Sequence, residues 1–345
     1  MISLFKPYMP QQLPEMENIL QSGQLAFGKW GREFEQQLRN YIGVENLMTS
    51  CNFSTAIQIA VTTLDLKPGD EVLVSPMSCL NSTMPLRSFG LKVVWADIDP
   101  CTGTLNPESV EEHITKKTKL IFHNHFCGYI GYVDEINAIG KKYGIPVLDD
   151  CVEAFGSKYK GRVAGNLGTD ISIFSFQTVR LPNTIDGGAI CFKDKALYEK
   201  SLIIRDQGIR RNLFRDADGE ISPECDIYMR GFAGTMSDVN SYIGCLQMEV
   251  LSELLKKQII NAAKWREKGI ECSLLRDEIE PNFWVYGILV DNKREQLRQY
   301  KADGYGCSGV HLPNSYYSIF GNQGQLPGIT EFYNKYLAIP CGWWM

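Results

Sequence analysis

The sequence has no apolar run long enough to cross a membrane, and its first residues, MISLFKPYMPQQL, lack the regions of a signal peptide. It also lacks a low-complexity linker and an internal repeat. These absences argue against a transmembrane, secreted or solenoid protein. They predict a cytoplasmic protein with no membrane partner.

Paired cysteines and an excess of positive charge are missing as well. The eleven cysteines contain no CxxC pair, so we expect reduced, mostly buried thiols and not a zinc ribbon or a disulfide framework. The 35 Lys and Arg against 40 Asp and Glu give a net charge of -5, with no basic stripe. This balance argues against a nucleic-acid surface, although single arginines could hold a phosphorylated small ligand.

What the sequence does contain is a regular alternation of short apolar runs and longer amphipathic segments. The strand-like runs are DEVLVSP, LKVVWADI, TKLIFHNHF, IPVLDD, DISIFSF and GGAICF, and helical patterns such as STAIQIAVTTLDL and VDEINAIGKKYG lie between most of them. This alternation predicts an α/β fold with a mostly parallel sheet.

The last third of the chain has a different pattern. A long helical run, SDVNSYIGCLQMEVLSELLKKQIINAAKWREKGIECSLL, leads to two strand-like segments, NFWVYGILV and GYGCSGVHLP. At 345 residues with 44% apolar composition, the chain is long enough for a large and a small domain. We predict a large domain at 1–250 and a smaller C-terminal α/β domain at 251–345.

Ligands of open α/β sheets bind beyond the carboxyl ends of the strands, so the segments that follow the strands are candidate sites. In SCNFSTA, residues 50–56, hydroxyl residues open a helix that could hold a phosphate or could simply be capped. In PVLDDCVEAFGS, Asp149 and Asp150 end a buried strand and Glu153 follows. Such carboxylates could pair with a protonated ring nitrogen of a cofactor, or could cap the next helix.

Two further strand ends carry polar side chains. Alternation in FHNHFCG predicts that His123, His125 and Cys127 share one face of a strand. Spacing along one strand is weak support for a metal, so we predict packed or substrate-facing side chains and no metal. The fourth segment, FSFQTVRLPNTIDGGA, runs from a strand into an irregular stretch that contains Arg180.

Several motifs together resemble the DegT/StrS family of sugar aminotransferases, which are fold type I pyridoxal-phosphate enzymes that act on nucleotide-linked keto sugars. The matching pieces are FKPYMP, SGQLAFGKWGREFEQQLRNYIGV, KPGDEVLVSP, VVWADIDPCTGTLNP, VLDDCVEAFGSKYKGRVAGNLGTDISIFSF, DGGAI, RDQG and MSDVNSYIGCLQM. They agree in order and spacing from residue 2 to about 250, and more loosely beyond. The resemblance implies a homodimer with its site near the subunit boundary, in amino- or deoxy-sugar synthesis for a cell-envelope polysaccharide or a secondary metabolite.

The resemblance also implies roles for individual residues in binding pyridoxal or pyridoxamine phosphate. Asp150 matches the aspartate that pairs with the pyridinium nitrogen, and Glu153 stands where the family usually has a glutamine near the ring hydroxyl. Ser175 and Ser54 match residues that hold the phosphate. Cys79 stands approximately where an aromatic residue stacks on the ring.

The chain departs from the family at three positions. Arg180 stands at the Schiff-base lysine, Phe53 at a turn glycine and Ala233 at an asparagine that reaches the phosphate of a neighbouring subunit. A guanidinium neither condenses with the aldehyde nor moves protons efficiently, so ordinary transamination through Arg180 is not expected. We also expect Phe53 to narrow the space for a phosphate, since a Cβ resists positive φ and close backbone approach.

Three hypotheses follow. The first is a sugar-modifying enzyme that holds pyridoxal or pyridoxamine phosphate without a covalent bond. The second is a cofactor-free homologue that binds a sugar nucleotide for other chemistry or as a partner subunit, and the third is an aminotransferase that uses another lysine. For the last, Lys158, Lys160 and Lys193 lie outside the strand-end segment. The segment NTIDGG also resembles relatives that replace the lysine by histidine and dehydrate a GDP-keto-hexose.

Arg180 and His125 are the candidate catalytic residues. We expect Arg180 to be an anion clamp in the cleft or a structural partner of Asp149 or Asp186. At the other end of the chain, Trp343 and Trp344 would be exposed unless the domain or another subunit covers them.

Overall fold

A seven-stranded, mostly parallel sheet forms the centre of the protein in a computed structural model that describes residues 1–345. The strands are β1 (Leu47–Ser50), β2 (Glu71–Val74), β3 (Lys92–Trp95), β4 (Thr118–Asn124), β5 (Val147–Asp150), β6 (Lys158–Tyr159), β7 (Arg162–Val163), β8 (Ile171–Ser175), β9 (Gly188–Phe192), β10 (Ile279–Glu280), β11 (Tyr286–Leu289) and β12 (Tyr336–Ile339). The large sheet has the order β1-β9-β8-β5-β4-β2-β3. Strands β8, β5, β4, β2 and β3 are parallel, and β9 is antiparallel to both of its neighbours, so β1 runs in the same direction as the parallel strands. The predicted α/β class is confirmed.

Helices connect these strands and cover the sheet. They are α1 (Met16–Gln21), α2 (Lys29–Ile42), α3 (Phe53–Thr63), α4 (Leu80–Ser88), α5 (Pro107–Glu112), α6 (Val133–Tyr143), α7 (Lys195–Arg205), α8 (Asp238–Glu267), α9 (Lys293–Ala302) and α10 (Pro327–Lys335). As the sequence predicts, α6 ends at Gly144, which has the left-handed backbone (φ 66°) that glycine adopts without strain.

Successive side chains of a strand point to opposite faces of the sheet and pack in different apolar cores. Val74 and Phe122 pack with α3, whereas their neighbours Leu73 and Ile121 pack with α5 and α6 on the opposite face. Because both faces are buried, the strands read as continuous apolar runs, which is why the sequence pattern predicts them.

The carboxyl ends of β4, β5 and β8 meet at one edge of the sheet. His123 on β4 lies opposite Asp149 on β5, and Asn124 lies opposite Asp150. On the other side of β5, Asp150 lies opposite Ile173 of β8. The register therefore brings the three predicted strand-end segments together.

The C-terminal part differs from the prediction in one strand. NFWVYGILV contains β11, but 304–313 forms no strand and makes only isolated bridges, at Tyr305 and Ser308. Three glycines and a proline within that segment disfavour a regular strand. The partner of β11 is β12.

The predicted domain boundary near residue 250 falls inside α8. The largest apolar core contains Leu38 and Phe174 together with Tyr286 and Leu337, so it extends across that boundary. The division into two domains stays a prediction. No helix is both long and apolar enough to span a bilayer.

The two C-terminal tryptophans are partly covered by the first residues of the same chain. Trp343 packs edge-on against Tyr8, with ring centroids 5.3 Å apart, and Lys6 lies over its ring. The indole N–H of Trp344 donates to the carbonyl of Ser3 over 3.0 Å. The amino-terminal segment of the same chain therefore supplies part of the predicted cover.

Candidate functional site

Asp150 is the last residue of β5 and lies buried at the edge where the parallel strands end. Its Oδ2 accepts a 2.6 Å hydrogen bond from the hydroxyl of Ser82, and its Oδ1 accepts one of 3.1 Å from the N–H of Val152. Burial raises the pKa of Asp150 to about 6, although both hydrogen bonds oppose the shift. The carboxylate has no cation of its own, so a positively charged ligand group would stabilise its ionised form.

Glu153 lies three residues further on and is also buried, but a histidine and an arginine contact its carboxylate. Its Oε1 lies 2.9 Å from Nε2 of His311 and 3.4 Å from Nη1 of Arg180, and its Oε2 accepts a 2.7 Å hydrogen bond from the N–H of Cys127. Burial alone would raise the pKa of Glu153, but His311, Arg180 and the Cys127 N–H outweigh it and hold the pKa below the usual value. Glu153 is therefore an ionised carboxylate.

Arg180 lies in the loop after β8, and only 8% of its side chain is exposed. Besides its contact with Glu153, its guanidinium lies 4.4 Å from the ring centroid of Trp284, and its Nε has no hydrogen-bond partner. The prediction that Arg180 would pair with Asp149 or Asp186 was wrong. Asp149 contacts two histidines, and Oδ1 of Asp186 accepts from the N–H of the next residue.

Cys79 completes this cluster at the N-cap of α4. Burial raises the pKa of its thiol. Cys79 directly precedes α4, whose Ser82 contacts Asp150, and Glu153 contacts Arg180, so these predicted residues lie at the same edge of the sheet.

The two serines predicted to hold a phosphate already have partners within the chain. The hydroxyl of Ser54 donates to Oδ1 of Asn81 over 2.7 Å. Ser175 is buried, and its Oγ accepts a 3.3 Å hydrogen bond from the N–H of Gln177. A phosphate would have to share or replace these contacts.

Phe53 is the first residue of α3 and has no positive φ, and its ring is buried in the apolar core that packs on the sheet. The ring therefore points away from the start of the helix. A narrower space for a phosphate at this backbone stays a prediction. Ala233 is exposed and forms an isolated bridge with Asp206.

A second polar cluster lies beside β5. Nδ1 of His123 lies 3.1 Å from Oδ1 of Asp149, Nε2 of His125 lies 3.6 Å from Oδ2, and the Thr169 hydroxyl donates to Oδ2 over 2.6 Å. Cys127 lies in a 3-10 turn with φ 53°, not on the strand. Because β4 ends at residue 124, His125 also lies beyond the strand, and the prediction of a strand face shared by three residues is wrong for both. His125 nevertheless reaches Asp149 beside His123.

The hydrogen bonds of this cluster indicate that the histidine nitrogen facing Asp149 carries a proton and does not bind a metal. Potential ligand atoms of His123, His125 and Asp149 lie within 4.8 Å of one another. However, Nδ1 of His125 lies 3.2 Å from the N–H of Gly131 and accepts from it, so Nε2 carries the ring proton that faces Asp149. A metal on Nε2 would require the proton on Nδ1, opposite the Gly131 N–H.

The same contacts set the charge states in this cluster. Burial lowers the pKa of His123, and the two histidines lower the pKa of Asp149 although burial opposes them. Both ring nitrogens of His125 face protein groups, and the side chain is buried. Its catalytic role stays a prediction.

His311, Trp284 and Ser82 are site residues that sequence reasoning missed. His311 and Trp284 lie in the C-terminal third and reach the strand ends only through tertiary packing. Ser82 lies in the first turn of α4, after a recognisable strand. The rule that strand ends carry the site would have found Ser82, whereas no local pattern marks the other two.

The three lysines considered as substitutes are engaged away from this cluster. Lys158 pairs with Glu280, Lys160 pairs with Asp134, and Lys193 donates to the carbonyl of residue 168. These contacts lie at the surface. None of them supports a lysine beside Asp150.

Comparisons with a family model, with curated sequences and with solved structures agree on the kind of protein that this chain resembles. The model of the DegT/DnrJ/EryC1/StrS aminotransferase family matches residues 9–342. GDP-perosamine synthase of Escherichia coli O157:H7 is 27% identical over 92% of this chain and 83% of its own length. The crystal structure of sugar aminotransferase CalS13 from Micromonospora echinospora superposes with a TM-score of 0.93 at 26% identity, covering 100% of this chain and 96% of that one. Spr1654 of Streptococcus pneumoniae, solved in a PMP form, has a TM-score of 0.89 at 21% identity, covering 100% and 95%.

Proposed function

The chain belongs to the DegT/DnrJ/EryC1/StrS aminotransferase family, and we propose that it modifies a nucleotide-linked keto sugar with pyridoxal or pyridoxamine phosphate held without a covalent bond to lysine. One observation carries this proposal. Arg180, which stands at the family's Schiff-base lysine by resemblance, is committed to Glu153 and Trp284, while Asp150 remains buried at the end of β5 without a cation.

The residues of the site are suited to binding the ring of such a cofactor, but they offer no amine for attaching it covalently. A guanidinium has a pKa above about 12 and stays protonated, so Arg180 offers no free amine. Asp150, in contrast, is a buried carboxylate that a protonated ring nitrogen would complement. When bound, the cofactor supplies an amino or aldehyde group and an electron-accepting ring.

The ionisation state of Asp150 determines the pH range in which a cationic ring can bind. Its pKa of about 6 means that the carboxylate is mostly ionised above that pH and mostly neutral below it. A ring cation binds the ionised form, so binding should weaken as the pH falls below about 6. Ser175 and Ser54 would hold the phosphate, and Arg180 with Glu153 would lie beside the reacting side of the ring.

The cofactor-free hypothesis is the second candidate, and the serine contacts favour it. The Ser54 hydroxyl already donates its proton to Asn81, whereas Ser175 only accepts from the N–H of Gln177 and keeps a proton to donate. One of the two hydroxyls predicted to bind the phosphate is therefore already used within the chain. In that case Arg180 would hold an anionic part of a sugar nucleotide.

Titration of the purified protein with pyridoxamine phosphate and pyridoxal phosphate separates these hypotheses. We expect a rise in melting temperature at millimolar cofactor, full reversal on dialysis, and no borohydride-stable attachment. Asp150→Asn should abolish the rise, whereas Asp186→Asn, a control at an exposed carboxylate in the loop after β8, should keep it.

The other outcomes are equally informative. No shift with either compound, together with a shift on adding GDP-mannose or UDP-glucose, would favour the cofactor-free protein. Visible absorbance fixed by borohydride in the unaltered protein would show that a lysine serves after all. A homodimer in the cytoplasm remains part of the proposal.

A further inference from the structure

His311 reaches the site from the C-terminal part of the chain. The segment that carries it is fastened to the loop before α4, because the N–H of Asn314 donates to the carbonyl of Pro76 over 2.7 Å. The side chain of Asn314 also donates to the carbonyl of Ser78 over 3.2 Å and to the hydroxyl of Thr83 over 2.9 Å. His311 is therefore held in place by the same loop that presents Cys79 and Ser82.

The imidazole of His311 is oriented by Glu153. Nε2 lies 2.9 Å from Oε1 of that buried, ionised carboxylate, so Nε2 carries a proton and donates it. The neutral ring then has its lone pair on Nδ1. No hydrogen bond within the chain involves Nδ1, and 20% of the side chain is exposed. A carboxylate on one nitrogen and an open second nitrogen is the arrangement of a general acid–base histidine.

We propose that His311 is the catalytic acid–base residue of this site and that Glu153 is its positioning residue. Nδ1 of His311 takes a proton from a carbon or hydroxyl of the bound sugar, becoming imidazolium, and returns it at a later step, so no oxidant or reductant is needed. This inference rests on the proposed function. It assigns to His311 the proton transfer that Arg180 cannot perform.

The other groups near the site are less suited to this task. The thiol of Cys79 has a raised pKa and is a weak base at neutral pH. His125 has both nitrogens directed at protein groups. His113 is outside the cluster, with Nδ1 2.7 Å from the carbonyl of Ser109. Asp150 would pair with the protonated ring nitrogen of the cofactor, so it would not be free to accept a proton from the sugar.

The chain contains only four histidines, so nitrogen NMR of histidine-labelled protein can resolve the tautomer of His311. We expect the Nε2–H tautomer in the unaltered protein, with assignment by loss of the signal in His311→Gln. Glu153→Gln should no longer hold the ring in the single Nε2–H tautomer, because an amide can donate to the ring as well as accept from it. Glu35→Gln, at another buried glutamate that pairs with an arginine, should leave the tautomer of His311 unchanged.

An Nδ1–H tautomer in the unaltered protein would overturn the proposal without any variant. An unchanged, purely Nε2–H tautomer of His311 in folded Glu153→Gln would overturn the role of Glu153. Both results are independent of any ligand, so they also stand if the proposed function fails.

Exchange with solvent deuterium tests the catalytic role itself. With pyridoxamine phosphate and a GDP-linked 4-keto-6-deoxyhexose as probes, His311→Gln should bind both within about threefold of the unaltered protein. Incorporation of deuterium at the sugar carbon next to the keto group and at the aminomethyl carbon of the cofactor should fall at least about a hundredfold, within the range of general acid–base catalysis. Equal incorporation in both proteins would refute the role of His311 and leave the proposed function intact. Absence of binding and of exchange in the unaltered protein would refute the proposed function and, with it, the catalytic role.

Discussion

Replacing Arg180 with lysine would put an amine where the family resemblance places the Schiff-base residue, while keeping a positive charge near Glu153. The shorter ammonium would lose the stacking on Trp284, now at 4.4 Å, and the planar contact with the carboxylate. We expect a loss of about 1–2 kcal/mol, the value of a desolvated cation–π contact. An unfolding entropy of about 2.1 cal/mol/K per residue over 345 residues then converts this into a melting temperature lower by about 1.5–3 °C.

The same variant should gain a covalent attachment. If Asp150 still receives the ring, pyridoxal phosphate added to Arg180→Lys will absorb in the visible, and borohydride will fix its mass to the peptide that contains residue 180. The matched control is Arg205→Lys. Arg205 is also buried, lies 2.7 Å from the buried Glu35 and stacks on Phe27 at 4.6 Å. It should lose similar stability without gaining a label at residue 205.

Two results would refute this reasoning. If Arg180→Lys melts like the control and carries no label, then the pocket no longer accepts the cofactor ring. If the unaltered protein is labelled at another lysine, then the position matched to the catalytic lysine is misassigned. Peptide mapping by mass spectrometry distinguishes the two results.

Three further predictions concern stability and assembly. The pKa of Asp150 is raised to about 6, so its contribution to stability is present at low pH and is lost as the pH rises through 6. Asp150→Asn should therefore add about 1–3 kcal/mol to the free energy of unfolding at pH 8 and nothing at pH 4. An equal gain at both pH values would contradict the raised pKa. Phe53→Ala should cost about 3–5 kcal/mol in chemical denaturation, since the ring is buried in the core, and a cost below about 1 kcal/mol would show that it is not. Sedimentation at micromolar concentration should give a homodimer, and a monomer would count against the predicted assembly.

Local sequence was sufficient for the central sheet. Segments such as DEVLVSP and DISIFSF are short apolar runs bounded by turn residues, and β2 and β8 lie within them. The prediction failed at 304–313, where glycines interrupt an apolar pattern. The same region makes single bridges to Ile2 and Ala338, contacts that depend on distant segments and leave no periodic signal.

For the site, the sequence predicted which residues converge but not how they pair. Asp150 and Glu153 follow from the rule that strand ends carry ligands, and Cys79 and Arg180 lie at the ends of neighbouring connections. The partners of Glu153 and Arg180 could not be predicted in the same way. His311 is 158 positions from Glu153, and its contact exists only because the C-terminal part packs on the loop before α4.

The contacts of Glu153 and Arg180 explain why a carboxylate suits residue 153. A buried arginine at residue 180 facing a neutral side chain would be an unpaired charge, and removing one partner of a buried pair typically costs about 3–5 kcal/mol. Glu153 provides the counter-charge, and its Oε1 also accepts from Nε2 of His311. Under the proposed assignment of residue 180 to the lysine position, the carboxylate that neutralises Arg180 therefore also orients the histidine that we propose as the acid–base residue.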